Sequence, residues 1–230
     1  MCTRTCLEFV RAHLCEEDVR GRSVLEVGAR NVNGSARPIV EAFGPASYVG
    51  VDIESGTGVD EICDAAGLVG RFGRDAFDML ISTELLEHVR EWRTVISQFK
   101  QVLKPEGVLL LTTRSQGFHY HAYPADFWRY EVSDMRAVFS DFTIEALESD
   151  PLSPGVFVKA RKPMAFNEKV TQDHSLYCVV TRRRALEVTD AELASFHRRW
   201  KLRRIVRAPS RFLRRIRDGV LGRKRHEDRG

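Results

Sequence analysis

Apolar residues at Leu7, Val10, Leu14 and Val19 keep the spacing of one helix face, which predicts a helix over 5–20 that stops at Gly21. SVLEV at 23–27 is a β-branched run that enters a glycine turn, so it reads as a strand. A helix follows over 34–43 and a second strand over 47–53. A loop around Gly56 and Gly58 leads to a short strand near 59–63 and a helical turn after Asp64. FDMLIS at 77–82 is another strand. Trp92, Val95, Ile96, Phe99 and Leu103 mark an amphipathic helix over 91–103, which Lys104-Pro105-Glu106-Gly107 should break. VLLLTT at 108–113 is wholly apolar, as in a strand covered on both faces. Residues 114–130 read as a loop and 131–139 as a helix. Residues 141–148 and 155–162 read as two strands, placed together as an antiparallel edge pair. Residues 163–180 carry no clear period, and from about 187 the pattern is helical and increasingly basic.

Strands that alternate with helices at this spacing imply βαβ units and a parallel sheet. The expected fold is α/β, a Rossmann-like three-layer sandwich with a mostly parallel sheet, the antiparallel edge pair and a C-terminal basic helical extension. The expected division is 1–162 for the domain and 163–230 for the extension.

Composition changes this picture mainly through charge. The net charge of +4 conceals two regimes. Residues 1–197 carry 22 Lys and Arg against 29 Asp and Glu, whereas residues 198–225 carry 13 against one. Any argument from basicity to an anionic partner therefore belongs to the tail. The five cysteines are odd in number and contain no CxxC pair, which argues against a disulfide framework or a zinc site. Cys2, Cys6 and His13 read as small residues of a helical N-terminus, and no metal is expected. The first residues lack the apolar core of a signal peptide, and the longest apolar stretches are strand-sized. A cytoplasmic location is the expectation.

In an open parallel sheet, ligands bind at the carboxyl ends of the strands. The first strand ends at Glu26-Val27-Gly28, where a glycine permits close backbone approach. The second ends at Asp52, whose carboxylate is placed to accept both hydroxyls of a ribose. The distance from Gly28 to Asp52 suits the acid of a dinucleotide fingerprint, but Arg30 occupies the second glycine position of G-x-G-x-x-G. A large side chain there disfavours a pyrophosphate. A ligand ending in a carboxylate and an ammonium fits better.

LEVG at 25–28, YVGVDI at 48–53, CDA at 63–65, and FDMLISTELLEHV at 77–89 followed by LKPEGVLLLTT at 103–113 occur in one order. Together, over about residues 20–162, they resemble the class I S-adenosylmethionine-dependent methyltransferases. The resemblance implies S-adenosylmethionine as cofactor. It implies a cofactor site of Glu26, Gly28, Asp52, Ile53, Asp64, Ala65, Thr83 and Glu84. Asp52 would hold the ribose, Asp64 the adenine amino group, and Glu84 the wall near the sulfonium. Glu26 would orient the first loop. The departure at Arg30 leaves the fold unchanged and bears on which backbone groups of 29–35 touch the cofactor.

On the acceptor side, His88 is the candidate general base, its ordinary pKa lying near working pH. The alternative is a turn-capping Glu87-His88 packed beneath the site. The loop YPADFWR is similar to a stretch in methyltransferases of bacterial glycan and secondary-metabolite gene clusters. Tyr123, Asp126, Trp128 and Arg129 are its candidate acceptor contacts, against a reading of Trp128 as core and Asp126–Arg129 as a structural ion pair. The segment 196–221 interleaves arginines with Phe196, Trp200, Ile205, Phe212, Leu213, Ile216 and Val220. That pattern suits an anionic membrane surface or a solvated tail better than nucleic acid.

The expected function is methyl transfer to a small molecule or a glycan- or lipid-linked precursor. Three alternatives follow from the same residues. One is a non-catalytic methyltransferase-like module docked by its tail. A second is a nicotinamide oxidoreductase, against which Arg30 and CDA speak. A third is a nucleic-acid methyltransferase, whose Asn/Asp-Pro-Pro-aromatic signature is missing after the 77–82 strand.

Overall fold

A computed structural model describes residues 3–121 and 125–201. In chain order the elements are α1 (Arg4–His13), α2 (Glu16–Val19), β1 (Ser23–Val27), α3 (Arg37–Glu41), β2 (Ser47–Asp52), β3 (Glu61–Ile62) and α4 (Leu68–Phe72). There follow β4 (Phe77–Thr83), α5 (Trp92–Val102), β5 (Leu103–Arg114), β6 (Trp128–Arg129) and α6 (Val132–Val138). Then come β7 (Thr143–Ser149), β8 (Gly155–Arg161), β9 (Leu176–Cys178) and β10 (Arg183–Ala185).

Seven strands form one sheet in the order β3-β2-β1-β4-β5-β8-β7. The strands from β3 to β5 run parallel. β8 runs antiparallel to both β5 and β7, as an edge pair should. Side chains alternate between the two faces. Val24 of β1, Met79 and Ile81 of β4, and Val108 and Leu110 of β5 pack with Cys6, Phe9 and Val10 of α1 and with Val40 of α3. The opposite face presents Leu25, Leu80 and Leu109, aligned across three neighbouring strands. α5 contributes buried Trp92, Val95, Ile96 and Phe99, and α6 sits beside it through a hydrogen bond from Lys100 Nζ to the Val138 carbonyl at 2.7 Å. This is the three-layer Rossmann-like sandwich.

Three local expectations are corrected. The helix expected over 5–20 is interrupted, because Leu14 and Cys15 are extended. The break lets Asp18 turn inward to Lys159 Nζ at 2.6 Å and Arg161 Nη2 at 2.9 Å, which a continuous solvent-facing helix would not allow. Lys104–Gly107 is not a separate loop, since β5 starts at Leu103 directly after α5. The extra residues are absorbed where the pairing jumps from Phe77↔Leu103 to Met79↔Val108, with Glu106 at φ 65°. Within the 114–130 stretch, β6 pairs with β9, and β9 with β10, in a small second sheet.

That sheet draws residues 176–185 into the main body. Among the described residues the first compact unit accordingly extends to Glu187, beyond residue 162, and a second unit begins at Val188. Residues 190–201 are helical, and residues 202–221 of the basic segment lie outside the described residues. Among the described residues no helix is long and apolar enough to cross a membrane. The four described cysteines form no disulfide.

Candidate functional site

The carboxyl ends of β1, β2 and β4 open onto a cavity of about 360 Å³. The turn after β1 is pulled towards β2, since the Gly28 and Ala29 N–H groups both donate to the Val51 carbonyl, at 2.9 and 3.0 Å. Gly28 has φ +80°, and a Cβ there would lie 3.2 Å from the Leu85 Cβ. The positive φ favours glycine, and a side chain there would press on Leu85, which lines the same cavity. A Cβ at Gly58, φ +90°, would fall 2.5 Å from the Ala29 carbonyl oxygen, so the 56–58 loop is pressed against the same turn. Arg30, which displaced the fingerprint glycine, pairs with Glu54 and lies along Gly56.

Asp52 ends β2 at the cavity wall. Its Oδ2 accepts from the Arg30 N–H at 3.3 Å and its Oδ1 from the Glu54 N–H at 3.1 Å, which orients the carboxylate without burying it. Asp64 caps the 3₁₀ turn 65–67 by accepting from the Ala66 N–H at 2.9 Å, and it also lines the cavity. Gly28, Asp52, Ile53, Asp64, Ala65, Thr83, Glu84 and His88, all singled out from sequence, line this one cavity. Val27, Leu85 and Val95 supply apolar wall.

Glu26 is not among the lining residues. It is 2% exposed and accepts from the Tyr48 hydroxyl at 2.8 Å, behind the first turn. Burial pushes its carboxyl up to about 7, against the lowering effect of the Tyr48 bond and the Arg37 charge. With the folded-state value above the unfolded one, the neutral group's stabilising share is complete below about 4.5 and is lost as pH rises to about 7. Glu26→Gln should therefore gain stability relative to the parent across that window, by about 3 kcal/mol at most. Denaturant titrations of both proteins at pH 5 and pH 8 measure this, and a difference that stays constant between the two would refute it.

Glu84 follows β4 with φ 56° and is 4% exposed. Its Oε1 accepts from Thr112 Oγ1 at 3.1 Å and from the Cys6 thiol at 3.4 Å, and its other oxygen pairs with Arg114. Burial, then the nearby Glu87 charge, push its carboxyl well above the usual range. Arg114 also reaches Asp150 at 3.7 Å and lies over the Phe118 ring at 4.1 Å. Asp150 in turn accepts from Thr5 Oγ1 at 2.9 Å. This network ties α1 and the β7–β8 turn to the cavity floor, and only Glu84 of it was recognised from sequence. A buried arginine that ends an apolar strand is the signal that could have found the rest.

Of the acceptor-side candidates, Asp126, Trp128 and Arg129 lie in the interior and do not line the cavity. Asp126 and Arg129 form a buried bidentate ion pair, 2.5 and 2.8 Å, and the Trp128 indole donates to the Arg90 carbonyl at 3.1 Å. They hold the loop in place. Tyr123 lies outside the described residues. The loop instead sends His121 towards Glu87 and His88, and this grouping had no counterpart in the sequence reading. The three ligand-capable atoms lie within 4.8 Å of one another.

A family model described as "Methyltransferase domain" matches residues 4–149. No curated protein matches the sequence. Among solved structures, an S-adenosylmethionine-dependent methyltransferase from Mesorhizobium loti is similar, with TM-score 0.51, 19% identity, 67% of this chain and 96% of that one covered. A 1,6-didemethyltoxoflavin-N1-methyltransferase from Burkholderia thailandensis, solved with 1,6-didemethyltoxoflavin and S-adenosylhomocysteine, gives 0.54, 16%, 70% and 77%. A putative methyltransferase in complex with the Trm112 activator of Haloferax volcanii gives 0.56, 13%, 71% and 91%. At these identities the structural likeness concerns the fold.

Proposed function

Because the chain belongs to the methyltransferase-domain family, whose class I members use S-adenosylmethionine, we propose that it catalyses methyl transfer from that cofactor to a small-molecule acceptor or a glycan- or lipid-linked precursor. The observation that carries this reading is the convergence of Gly28, Asp52, Asp64 and Glu84 on a single cavity at the strand ends. The residues fit the cofactor. The side-chain-free floor at Gly28 admits close approach, Asp52 offers a pre-oriented carboxylate to a ribose, and the cavity has the size of a small-molecule site.

The bound cofactor would supply an already activated methyl group, so no covalent enzyme intermediate is required. What remains for the chain is to align an acceptor lone pair with the methyl carbon, on the side away from sulfur, and to keep water out. Thr83, Glu84, Leu85 and His88 line the same cavity. His88 is proposed as the side chain that meets the acceptor. Its Nδ1 is engaged by the Ala125 carbonyl, which leaves Nε2 as the nitrogen available to another group, the acceptor or an ion that holds it. A small-molecule acceptor is supported by the largely apolar wall and by the similar fold of the toxoflavin-precursor methyltransferase.

The test combines calorimetric titration with S-adenosylhomocysteine and a radiolabel-transfer assay on a panel of hydroxylated and amino acceptors. Micromolar binding with label transferred to at least one acceptor is the expected result. Binding without transfer across a broad panel would favour a non-catalytic module, and absence of binding would remove the reading altogether.

A further inference from the structure

Glu87 is fully buried, and its two carboxylate oxygens are treated unequally. Oε2 accepts from Thr113 Oγ1 at 2.8 Å, whereas Oε1 has no hydrogen-bond partner. A buried carboxyl oxygen without a hydrogen-bond partner is costly. Two imidazole nitrogens, His88 Nε2 and His121 Nε2, each lie 3.8 Å from it. That separation is too long for a hydrogen bond.

The opposite nitrogen of each ring is already committed. His88 Nδ1 faces the Ala125 carbonyl, which only accepts, so Nδ1 carries the proton. His121 Nδ1 lies 3.0 Å from Asp126 Oδ2. Asp126 is paired bidentately with Arg129 and also accepts from the His121 backbone N–H at 2.9 Å, so it too is an acceptor. In the neutral tautomers both Nε2 atoms then present lone pairs, and these share a small space with the orphaned oxygen. The rings stand edge to face with centroids 4.8 Å apart. Three electron-rich atoms gathered without a donor between them are the arrangement that a cation resolves.

We propose that Glu87 Oε1, His88 Nε2 and His121 Nε2 bind one zinc-class divalent transition-metal ion. Two imidazoles and one carboxylate favour such an ion over magnesium or calcium. Ligand bonds of about 2.0–2.2 Å need the three atoms, now within 4.8 Å of one another, to close by about 1 Å, which rotation of the imidazoles supplies. The outer partners are those a metal-binding histidine uses, a backbone carbonyl for one ring and a carboxylate for the other, the latter itself fixed by Arg129. The site is reachable, since the two histidine side chains keep 11% and 12% exposure. His88 also lines the cofactor cavity, so an ion held there would lie beside it, with at least one coordination position left open by three ligands. An acceptor hydroxyl held there would give its proton to solvent more readily, a consequence that rests on the methyl-transfer reading, whereas the ion site itself does not.

The experiment uses the full chain, stripped with a chelator and dialysed, then titrated with Co²⁺ and followed by visible absorption. One equivalent should produce ligand-field bands, Zn²⁺ should abolish them by displacement, and Mg²⁺ should not. His121→Ala should weaken Co²⁺ binding at least tenfold, and Glu87→Gln should do the same with side-chain volume retained. Melting temperature and S-adenosylhomocysteine binding of each variant report whether it is folded. Equal Co²⁺ binding by parent and folded variants, or no stoichiometric binding by the parent, would overturn the site. Either result would leave cofactor binding, measured separately, untouched, so failure here is distinguishable from failure of the methyl-transfer reading.

Discussion

Asp52→Ala is expected to weaken S-adenosylmethionine binding by about a hundredfold or more while the fold survives. The carboxylate stands at the cavity wall, held by two backbone N–H groups, and its remaining lone pairs are available to a vicinal pair of ribose hydroxyls. A hydrogen bond to a charged acceptor contributes about 1.5–3 kcal/mol, so loss of two gives at least two orders of magnitude. Stability should change by less than about 1 kcal/mol, because Asp52 is only partly buried and water can take over both N–H groups. Calorimetry on parent and variant, with melting curves beside it, makes the comparison. Unchanged affinity would remove Asp52 from the cofactor site and weaken the whole assignment.

The largest stability effect is expected at Arg114. Arg114→Met leaves Glu84 and Asp150 buried without their shared cation, and breaking a buried pair from one side costs about 3–5 kcal/mol. For a chain of this size that corresponds to a melting temperature lower by about 10 °C. Glu84→Gln in the Arg114→Met background should recover part of the loss, and more of it at high pH, where the raised Glu84 carboxyl becomes ionised. Thermal unfolding of the single and double variants gives the answer. A loss below about 1 kcal/mol would mean that Glu84 is already neutral and the guanidinium is dispensable.

These two residues show what the sequence made legible. Asp52, like Gly28 and Asp64, ends a strand whose apolar run is visible, and the geometry of an open sheet delivers strand ends to a common edge. The cofactor half of the site is therefore local information, repeated at each strand. Arg114 is also a strand end, yet its partners Glu84 and Asp150 lie 30 and 36 positions away, and no periodicity links them. The same holds for Glu87 and His121, brought together by a loop whose path is set by the Asp126–Arg129 pair. Asp126, Trp128 and Arg129 read as acceptor contacts because aromatic and charged residues in a loop resemble a binding surface. Burial alone distinguishes the two roles, and burial depends on β9, a strand of three residues in a segment without a readable pattern. Glu26 was displaced for a related reason: strand alternation puts it on the α3 side, where Tyr48 and Arg37 wait for it.

The position of β8 has a consequence for how the molecule is made. It is made after β1–β5 and β7, yet it lies inside the sheet between β5 and β7 and pairs with Val108–Arg114 along its full length. It also completes the seat of α1, through Phe9 against Phe157 at 5.2 Å and Lys159 against the His13 carbonyl at 2.9 Å. α1 therefore waits for roughly ten to thirty seconds of elongation before its partner exists. Until then β5 presents an apolar, unpaired edge, so the nascent chain is most exposed to misassembly just before residue 161 emerges.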